Sequence, residues 1–330
     1  MNIGTVGTNF IVDNFIDAAR KTGKAEIMAC YSRSSDTAEA FAKKHEIKKW
    51  YTDKKEFLSD GSLDFIYVAS PNSLHYQWTT DALNAGRNVI CEKPFVSYAG
   101  ELKELITLAK EKKLFLFEAI TTTHLPNFRL LKEKLTAIGK LRLVQMTFSQ
   151  FSSRYEAFLS GGLPNNFNPL FSGGALMDLN YYNLVFLYHL FGNPEILKYY
   201  ANKANNGIDI SGVLVLKYNG FIATASATKD SDSKNYIQLQ GEKGYISSDS
   251  TAGGIRTGFS LVTKEKTEQF NEQEHQNVLY YELLDFIADW EAGDSLRCLK
   301  HLETSLAVAL LMDMARQDAG IVFKADANKA

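Results

Sequence analysis

The chain has 330 residues, 45% hydrophobic and 22% charged, which is typical of a globular protein of about two domains. Its 36 basic and 38 acidic residues nearly cancel, so no basic excess indicates a nucleic-acid or membrane surface. The three cysteines are far apart, which excludes a disulfide framework and a cysteine metal site.

The N-terminal stretch "MNIGTVGTNF" has no basic region followed by an apolar run, so it does not have the pattern of a signal peptide. No apolar run reaches the length of a membrane-spanning helix, about 18 residues. We therefore expect a soluble, cytoplasmic protein that binds neither nucleic acid nor membrane, and no metal site.

Short apolar runs alternate with helical patterns through the first third of the chain. Strands are predicted at 3–6, 25–32, 63–70, 88–92 and 114–119, with helices between them. Continuous apolar strands between helices indicate a parallel sheet covered on both faces. We predict a doubly wound Rossmann domain over residues 1–120, with ligands beyond the carboxyl ends of its strands.

The pattern changes near residue 121. A helix containing Pro126 precedes an alternating strand at 141–151, in which Val144, Met146 and Phe148 share the predicted buried face. More strands are predicted at 195–204, 211–218, 220–228, 234–240 and 258–264, and helices at 276–291 and 301–318. These predict a second domain of the α+β class over residues 121–330, built on an open, mostly antiparallel sheet.

A long connection rich in Gly, Asn and Pro, residues 155–174, interrupts this second domain. Loops of such length in compact domains are often lids or binding loops. We interpret it as a lid segment; the alternative is a surface loop without function.

The first strand leads into "GTVGTNF", a glycine-rich turn before a helix. Backbone amides of such a turn bind pyrophosphate at the helix N-terminus. Gly7, Thr8, Asn9, Phe10 and Ile11 are therefore predicted cofactor contacts. The glycine pattern is imperfect, since Asn9 takes the second glycine position, where we expect asparagine to tolerate a left-handed turn.

The second strand ends in "CYSRSS", which has no carboxylate to bind a ribose 2′-hydroxyl. Ser32, Arg33 and Ser34 instead offer a guanidinium between hydroxyls, which suits a 2′-phosphate. We therefore predict NADP as the cofactor, with NAD possible. The alternative is an exposed arginine at a helix start.

The loop after the third predicted strand, "ASPNSLH", reaches the same sheet edge. Ala69, Ser70, Pro71 and Asn72 are predicted to border the cofactor. His75 is predicted either to contact cofactor or substrate or to pack in the first helical turn.

The chain resembles the glucose-fructose oxidoreductase, inositol dehydrogenase and rhizopine-catabolism (Gfo/Idh/MocA) family along its whole length. The resemblance is carried by the glycine-rich turn, by the loop "ASPNSLH" and by two further segments, "ALNAGRNVICEKP" and "FSGGALMDLNYYNLVFLYHLFG". The resemblance implies a Rossmann domain and a C-terminal domain whose large open sheet binds substrate and forms oligomers. It implies hydride transfer between a nicotinamide and a sugar, polyol or diol. It also implies a homodimer or homotetramer formed through the open sheet.

In the family, the lysine of the E-K-P motif faces the nicotinamide and the substrate oxygen, and Lys93 matches it. An ammonium there would stabilise the alkoxide that a carbonyl becomes on receiving hydride. Glu92 and Pro94 are placed beside the cofactor, Glu92 without a role of its own. The alternative is a solvated surface lysine.

The family pattern G-G-x-L-x-D, followed four residues later by His or Tyr, places Asp178 and Tyr182 on one helix face. Asp178 is predicted to hold Lys93 or a substrate hydroxyl, and Tyr182 to exchange the proton. His124 and His189 are weaker candidates, near the substrate and in packing respectively.

We predict an NADP-dependent oxidoreductase acting on a sugar, polyol or related hydroxy or oxo compound. Two alternatives stay open: a non-catalytic NAD(P)-binding sensor, and an NAD-preferring inositol-type dehydrogenase. The presence of Lys93, Asp178 and Tyr182 favours an enzyme over the sensor.

Overall fold

The computed structural model describes residues 1–328. They form two compact units, residues 1–119 with 277–306, and residues 120–276 with 307–330 in so far as these are described. The search of the described residues finds no helix long and apolar enough to cross a membrane. The cytoplasmic location stays a prediction.

The first unit is built on a six-stranded parallel sheet. Its strands are β1 (Asn2–Val6), β2 (Glu26–Tyr31), β3 (Lys49–Tyr51), β4 (Phe65–Val68), β5 (Asn88–Glu92) and β6 (Leu116–Ala119). They lie in the order β3-β2-β1-β4-β5-β6, and every neighbouring pair is parallel. The strand order reverses at β1 and β4, which is where a doubly wound sheet opens a ligand crevice.

Helices connect these strands. They are α1 (Phe10–Thr22), α2 (Ser35–His45), α3 (Lys54–Ser59), α4 (His75–Asn84) and α5 (Ala99–Lys112). A further helix near the end of the chain, α9 (Leu279–Glu291), packs against α1 in this unit. This helix lies within the predicted second domain, residues 121–330. A single sequence does not show which sheet a distant helix packs against.

The second unit is built on an eight-stranded, mostly antiparallel sheet. Its strands are β7 (Leu141–Ser149), β8 (Ile196–Lys203), β9 (Asp209–Tyr218), β10 (Phe221–Thr228), β11 (Tyr236–Gly241), β12 (Gly244–Ser248), β13 (Phe259–Thr263) and β14 (Thr267–Phe270). The order is β14-β13-β12-β11-β7-β10-β9-β8, and the central pair β7 and β10 is parallel. The predicted fold class is confirmed in both units.

This unit contains α6 (Pro126–Lys134), the short α7 (Tyr155–Leu159), α8 (Tyr181–Phe191) and the second part of α10 (Ser295–Asp318), whose first part belongs to the first unit. Of these helices, α6 packs against β13 and α8 against β7. A π-helical turn, Leu176–Asn180, leads directly into α8. Along β7, Val144 and Met146 are buried as predicted, whereas Phe148 is only half-buried, and its ring lies 5.7 Å from that of Tyr182.

Candidate active site

The turn after β1 packs against the start of the loop after β4, at the carboxyl ends of the two central strands of the first sheet. Gly7 has φ +109°, and a Cβ there would lie 2.8 Å from the Ala69 carbonyl oxygen, so only glycine fits. The Ala69 amide donates to the Val6 carbonyl at 3.0 Å. The turn after β1 therefore lies against the loop that follows β4.

Asn9 acts as a helix cap, which corrects the expectation of a left-handed turn there. Its backbone is extended, with φ −90° and ψ 174°, and its side-chain oxygen accepts from the amides of Ile11 and Val12. Its Nδ2 donates to the Ala69 carbonyl at 3.1 Å. Asparagine stands here because it caps α1 and bridges two loops, while Gly7 alone takes the positive φ.

The N-terminus of α1 retains amides that no group within residues 1–328 accepts, namely those of Thr8, Asn9 and Phe10. Such amides at the positive end of a helix dipole bind anions. They lie at the reversal of strand order, as a dinucleotide pyrophosphate requires. The residues present therefore fit the phosphates of NAD(P).

The end of β2 supplies the three residues predicted to select the nucleotide. The Ser32 amide donates to the Tyr51 carbonyl at 3.1 Å, which fixes the strand end. Ser34 caps α2, and its hydroxyl accepts from the Thr37 amide at 3.5 Å. Arg33 is exposed and makes no ion pair within the described residues, so its guanidinium is available to a ligand.

His75 is buried, with 1% of its surface exposed, and lies between two loops. Its Nδ1 is 2.9 Å from the Pro94 carbonyl and its Nε2 is 2.8 Å from the Ser70 carbonyl. Burial lowers the pKa of His75 to about 4, so the ring is neutral at pH 7 and donates to one carbonyl at a time. These contacts support the packing alternative: His75 ties the loops after β4 and β5 together, and a cofactor contact stays a prediction.

Pro71 and Asn72 lie on the same loop, where Asn72 begins a short 3₁₀ turn ending at Leu74. The Leu74 amide donates to the Pro71 carbonyl at 2.9 Å, which closes that turn. The loop thus runs from the end of β4 to the start of α4.

Glu92 is buried at the end of β5, beside Lys93. The Tyr67 hydroxyl donates to Glu92 Oε1 at 2.6 Å, and the Lys93 amide donates to Oε2 at 3.2 Å. Burial raises the pKa of Glu92, although Tyr67 and Lys93 oppose that rise. Glu92 therefore anchors the start of the Glu92-Lys93-Pro94 loop, whose Lys93–Pro94 peptide is cis.

In the second unit, Asp178 lies on the π-helical turn before α8. Its carboxylate pairs with Lys229, which follows β10 and whose side chain is only 3% exposed. Lys229 is not among the predicted site residues, and the predicted contact of Asp178 with Lys93 or a substrate hydroxyl stays a prediction. The pattern held a signal: Ala223, Ala225 and Ala227 are the inward positions of β10, and Lys229 is the next in that alternation.

Tyr182 is the second residue of α8 and follows Asp178 by four residues. Its ring lies 5.7 Å from the Phe148 ring, and a Cβ on Gly253 would be 2.8 Å from its edge. The Thr121 hydroxyl donates to the Gly253 carbonyl at 2.7 Å and holds that backbone in place. Tyr182 is thus held between β7 and a glycine backbone, and neither contact follows from the sequence pattern.

The lid segment, residues 155–174, folds into α7 and two 3₁₀ turns. The Phe158 and Phe167 rings stack at 4.9 Å, and the Phe167 ring also lies 5.4 Å from the Lys229 ammonium. Leu159 and Leu163 are exposed.

His189, predicted to pack, lies edge-on to Phe128. His124 is buried in a 3₁₀ turn.

Comparison with known proteins gives a consistent result. Residues 1–120 match the family model described as an oxidoreductase family with an NAD-binding Rossmann fold, and residues 128–247 match the GFO/IDH/MocA C-terminal domain. An uncharacterized oxidoreductase of Escherichia coli, YgjR, is 35% identical over 100% of this chain and 99% of its own. The scyllo-inositol 2-dehydrogenase (NADP(+)) IolU of Bacillus subtilis is 35% identical over 97% of this chain and 98% of its own.

Among solved structures, the 3-ketoreductase KijD10 of Actinomadura kijaniata, in complex with NADP and TDP-benzene, has a TM-score of 0.86 at 22% identity. The match covers 96% of this chain and 97% of that one. At that identity the match shows the shared fold. The sequence and family matches together show that the chain belongs to the Gfo/Idh/MocA family of oxidoreductases and is an NAD(P)-dependent enzyme, as its motifs predicted.

Proposed function

We propose that the chain is an NADP-dependent dehydrogenase of a sugar, polyol or related hydroxy compound. The observation that carries the proposal is the meeting of three loops at one sheet edge. The amide-lined turn after β1, the loop after β4 and the Glu92-Lys93-Pro94 loop are tied together through Asn9 and His75. Relatives named as inositol and xylose dehydrogenases using NADP(+) support the substrate class.

Within the first unit, we assign the cofactor to the loops around β1, β2, β4 and β5. The amides of Thr8, Asn9 and Phe10 would hold the pyrophosphate, and Arg33 the 2′-phosphate. When bound, the nicotinamide supplies or accepts the hydride. Lys93 would orient the substrate oxygen and stabilise its negative charge as the carbonyl is reduced.

Within the second unit, we assign proton exchange to Tyr182, whose phenol can act as general acid towards an alkoxide. Asp178 would hold a substrate hydroxyl. The lid segment, with its exposed Leu159 and Leu163, would close over bound substrate and exclude water.

We also propose that the open face of the eight-stranded sheet forms a homodimer or a homotetramer. Tyr200 and Val213, directly opposite each other on β8 and β9, are 68% and 38% exposed, and Ile222 on β10 is 45% exposed. Exposed apolar side chains on one face of a sheet favour association. Light scattering of the wild type and of Val213→Glu tests this: the variant should shift to monomer, and an unchanged mass would contradict the interface.

The activity test is an absorbance assay of a panel including scyllo-inositol, D-xylose and a trans-dihydrodiol, each with NADP⁺ and with NAD⁺. We expect turnover with at least one compound and a higher kcat/KM with NADP⁺. Tight NADPH binding without turnover of any compound would instead support the sensor alternative.

The role of Lys93 is tested by Lys93→Met, with Lys103→Met on the exposed face of α5 as control. Loss of the ammonium should lower kcat about 100-fold while the Kd for NADPH stays within about twofold. Turnover that survives in Lys93→Met would refute the assignment.

Cofactor choice is tested by Arg33→Gln, with the exposed Lys48→Gln as control. Loss of a charge-assisted contact to the 2′-phosphate should raise the Kd for NADPH about tenfold or more and leave that for NADH unchanged. Equal or tighter binding of NADH by the wild type would favour the NAD-preferring alternative.

A further inference from the structure

We propose that Lys229 is a positioning residue of the substrate site: it holds the Asp178 carboxylate, which binds a substrate hydroxyl other than the reacting one. This inference rests on the proposed function and deepens it. It names a residue that the motif pattern does not contain and a chemical feature that the substrate must carry.

The first support is the burial of the ammonium. Lys229 is 3% exposed, and an ammonium taken out of water is costly unless it is paired. Its partners are the Asp178 carboxylate and, at 5.4 Å, the face of the Phe167 ring. A merely structural lysine on this sheet would extend into solvent, as Lys234 on the following connection does.

The second support is the asymmetry of the pair. The Asp178 side chain is 36% exposed, so the pair has a closed lysine end and an open carboxylate end. A carboxylate has about four lone-pair sites, so it can accept further hydrogen bonds beside its salt bridge. The open end is therefore able to take a further polar ligand.

The third support is where the pair lies. Asp178 is one turn before Tyr182, Lys229 follows the inward positions of β10, and Phe167 belongs to the lid segment. The Ser152 amide also donates to the Lys229 carbonyl at 2.9 Å, which joins the strand end to the residues that precede the lid. Three elements that we assign to the substrate site thus meet at this ion pair.

The chemistry of the pair identifies what it binds. The exposed end of the pair is the Asp178 carboxylate, which accepts the hydrogen bond that a hydroxyl donates, whereas an apolar or deoxy carbon would displace water from that carboxylate and give no hydrogen bond in return. Sites built to hydrogen-bond a hydroxyl reject analogues without it strongly. The pair therefore selects polyhydroxylated substrates over simple alcohols and ketones.

Lys229 also acts on Asp209, which lies fully buried behind the same segment. Burial raises the pKa of Asp209 to about 6, and the positive charge of Lys229 opposes that rise. The Asp209 carboxylate accepts from the Leu176 amide at 2.6 Å, two residues before Asp178. The ammonium thus opposes protonation of Asp209, whose carboxylate accepts from the first residue of the π-helical turn.

The test compares the wild type with Lys229→Met and Lys229→Arg, and with Lys234→Met as control because Lys234 is exposed and pairs only with exposed Asp249 among the described residues. The substrate is the panel compound with the highest kcat/KM, together with analogues that each lack one of its non-reacting hydroxyls. NADPH affinity and the melting temperature are measured for each variant.

For Lys229→Met we expect KM to rise about tenfold or more, with the Kd for NADPH unchanged, and the preference for the full polyol over one deoxy analogue to collapse. Lys229→Arg should recover part of that preference, because the charge remains. A purely structural role would lower the melting temperature and kcat but leave the preference intact, which would overturn the proposal. If the wild type turns over no compound, the proposed function itself has failed.

Discussion

The Asp209 carboxylate occupies the space that a side chain at position 174 would need. Gly174 has φ +122°, and a Cβ there would lie 2.1 Å from Asp209 Oδ1. Asp209 is itself fixed, because its Oδ2 accepts from the Leu176 amide at 2.6 Å and the Tyr199 hydroxyl at 2.7 Å. Glycine is therefore required at position 174 for two reasons: the positive φ of its backbone and the lack of space beside the Asp209 carboxylate.

Replacing Gly174 separates these two requirements. Gly174→Ala should lower the free energy of unfolding by about 3 kcal/mol, combining positive-φ strain with displacement of a buried carboxylate. Gly207→Ala is the control, since Gly207 has φ +85° but a Cβ there would meet no atom within 4 Å, and should cost only about 1 kcal/mol. Urea denaturation measures both; equal losses would show that the contact with Asp209 contributes nothing.

Individual site residues were predictable where a strand end alone determines their position. Gly7, Arg33 and Lys93 each follow a parallel strand, and the alternation of strands and helices locates all three. The role of Asn9 was not predictable, because its amide bonds a carbonyl 60 residues away. The pairing of Asp178 with Lys229 was not predictable either, because it depends on how β10 passes the π-helical turn.

The chain segment after α10 is held by a buried cation. Arg316, 2% exposed, donates to both carboxylate oxygens of Asp326 at 2.8 and 3.0 Å and to Asp313 at 2.8 Å. The Phe323 amide donates to Asp326 Oδ2 at 2.7 Å, and the Phe323 ring lies 4.5 Å from the guanidinium. The end of the described chain therefore folds back onto the helix that precedes it.

Removing one carboxylate from this cluster should release the segment. Asp326→Ala leaves Arg316 buried with Asp313 as its remaining carboxylate partner among the described residues. We expect a loss of about 3 kcal/mol together with faster proteolytic cleavage after residue 318. Lys324→Ala, exposed on the same segment, should change neither. Cleavage at the wild-type rate in Asp326→Ala would show that packing alone holds the segment.

Elements were predicted well where hydrophobic periodicity is strong. The five predicted parallel strands are present, but β3, with the sequence "KWY", β12, with "GYISS", and β14, with "TEQF", were missed. All three are short, and most of their residues are polar or not buried, so none shows an apolar run or a clear alternation over enough positions. The packing of α9 with residues 1–119 was also beyond a single sequence, since no local pattern specifies which sheet a helix covers.

At the scale of the whole molecule, the two units carry buried groups that respond to pH in opposite directions. In the first unit, burial lowers the pKa of His75 from 6.5 to about 4. The folded state therefore disfavours the proton that the unfolded state binds, and stability present above pH 6.5 is lost as pH falls towards 4. The loss amounts to about 3 kcal/mol.

In the second unit, burial raises the pKa of Asp209 from 3.8 to about 6. Here the folded state holds the proton more tightly than the unfolded chain. Stability is fully present below pH 3.8 and is lost as pH rises through 6, again by about 3 kcal/mol. Acid should therefore weaken the first unit at His75, and neutral pH should weaken the second at Asp209.

The tryptophans allow the two responses to be observed separately. All three, Trp50, Trp78 and Trp290, belong to the first unit, so their fluorescence reports its unfolding, whereas circular dichroism reports both units. Urea denaturation of the wild type, His75→Gln and Asp209→Asn at pH 4.5, 6 and 7.5 then gives each variant's stability relative to the wild type.

His75→Gln should gain on the wild type by up to about 3 kcal/mol between pH 7.5 and 4.5, in the fluorescence-detected transition. Asp209→Asn should gain on the wild type by about 2 kcal/mol in the opposite direction, between pH 4.5 and 7.5, and only by circular dichroism. The informative quantity is the change with pH in the stability difference between variant and wild type. A difference that stays constant with pH reflects lost hydrogen bonds rather than a lost titration. Parallel pH profiles for variant and wild type would mean that the group concerned does not titrate in this range in the folded protein.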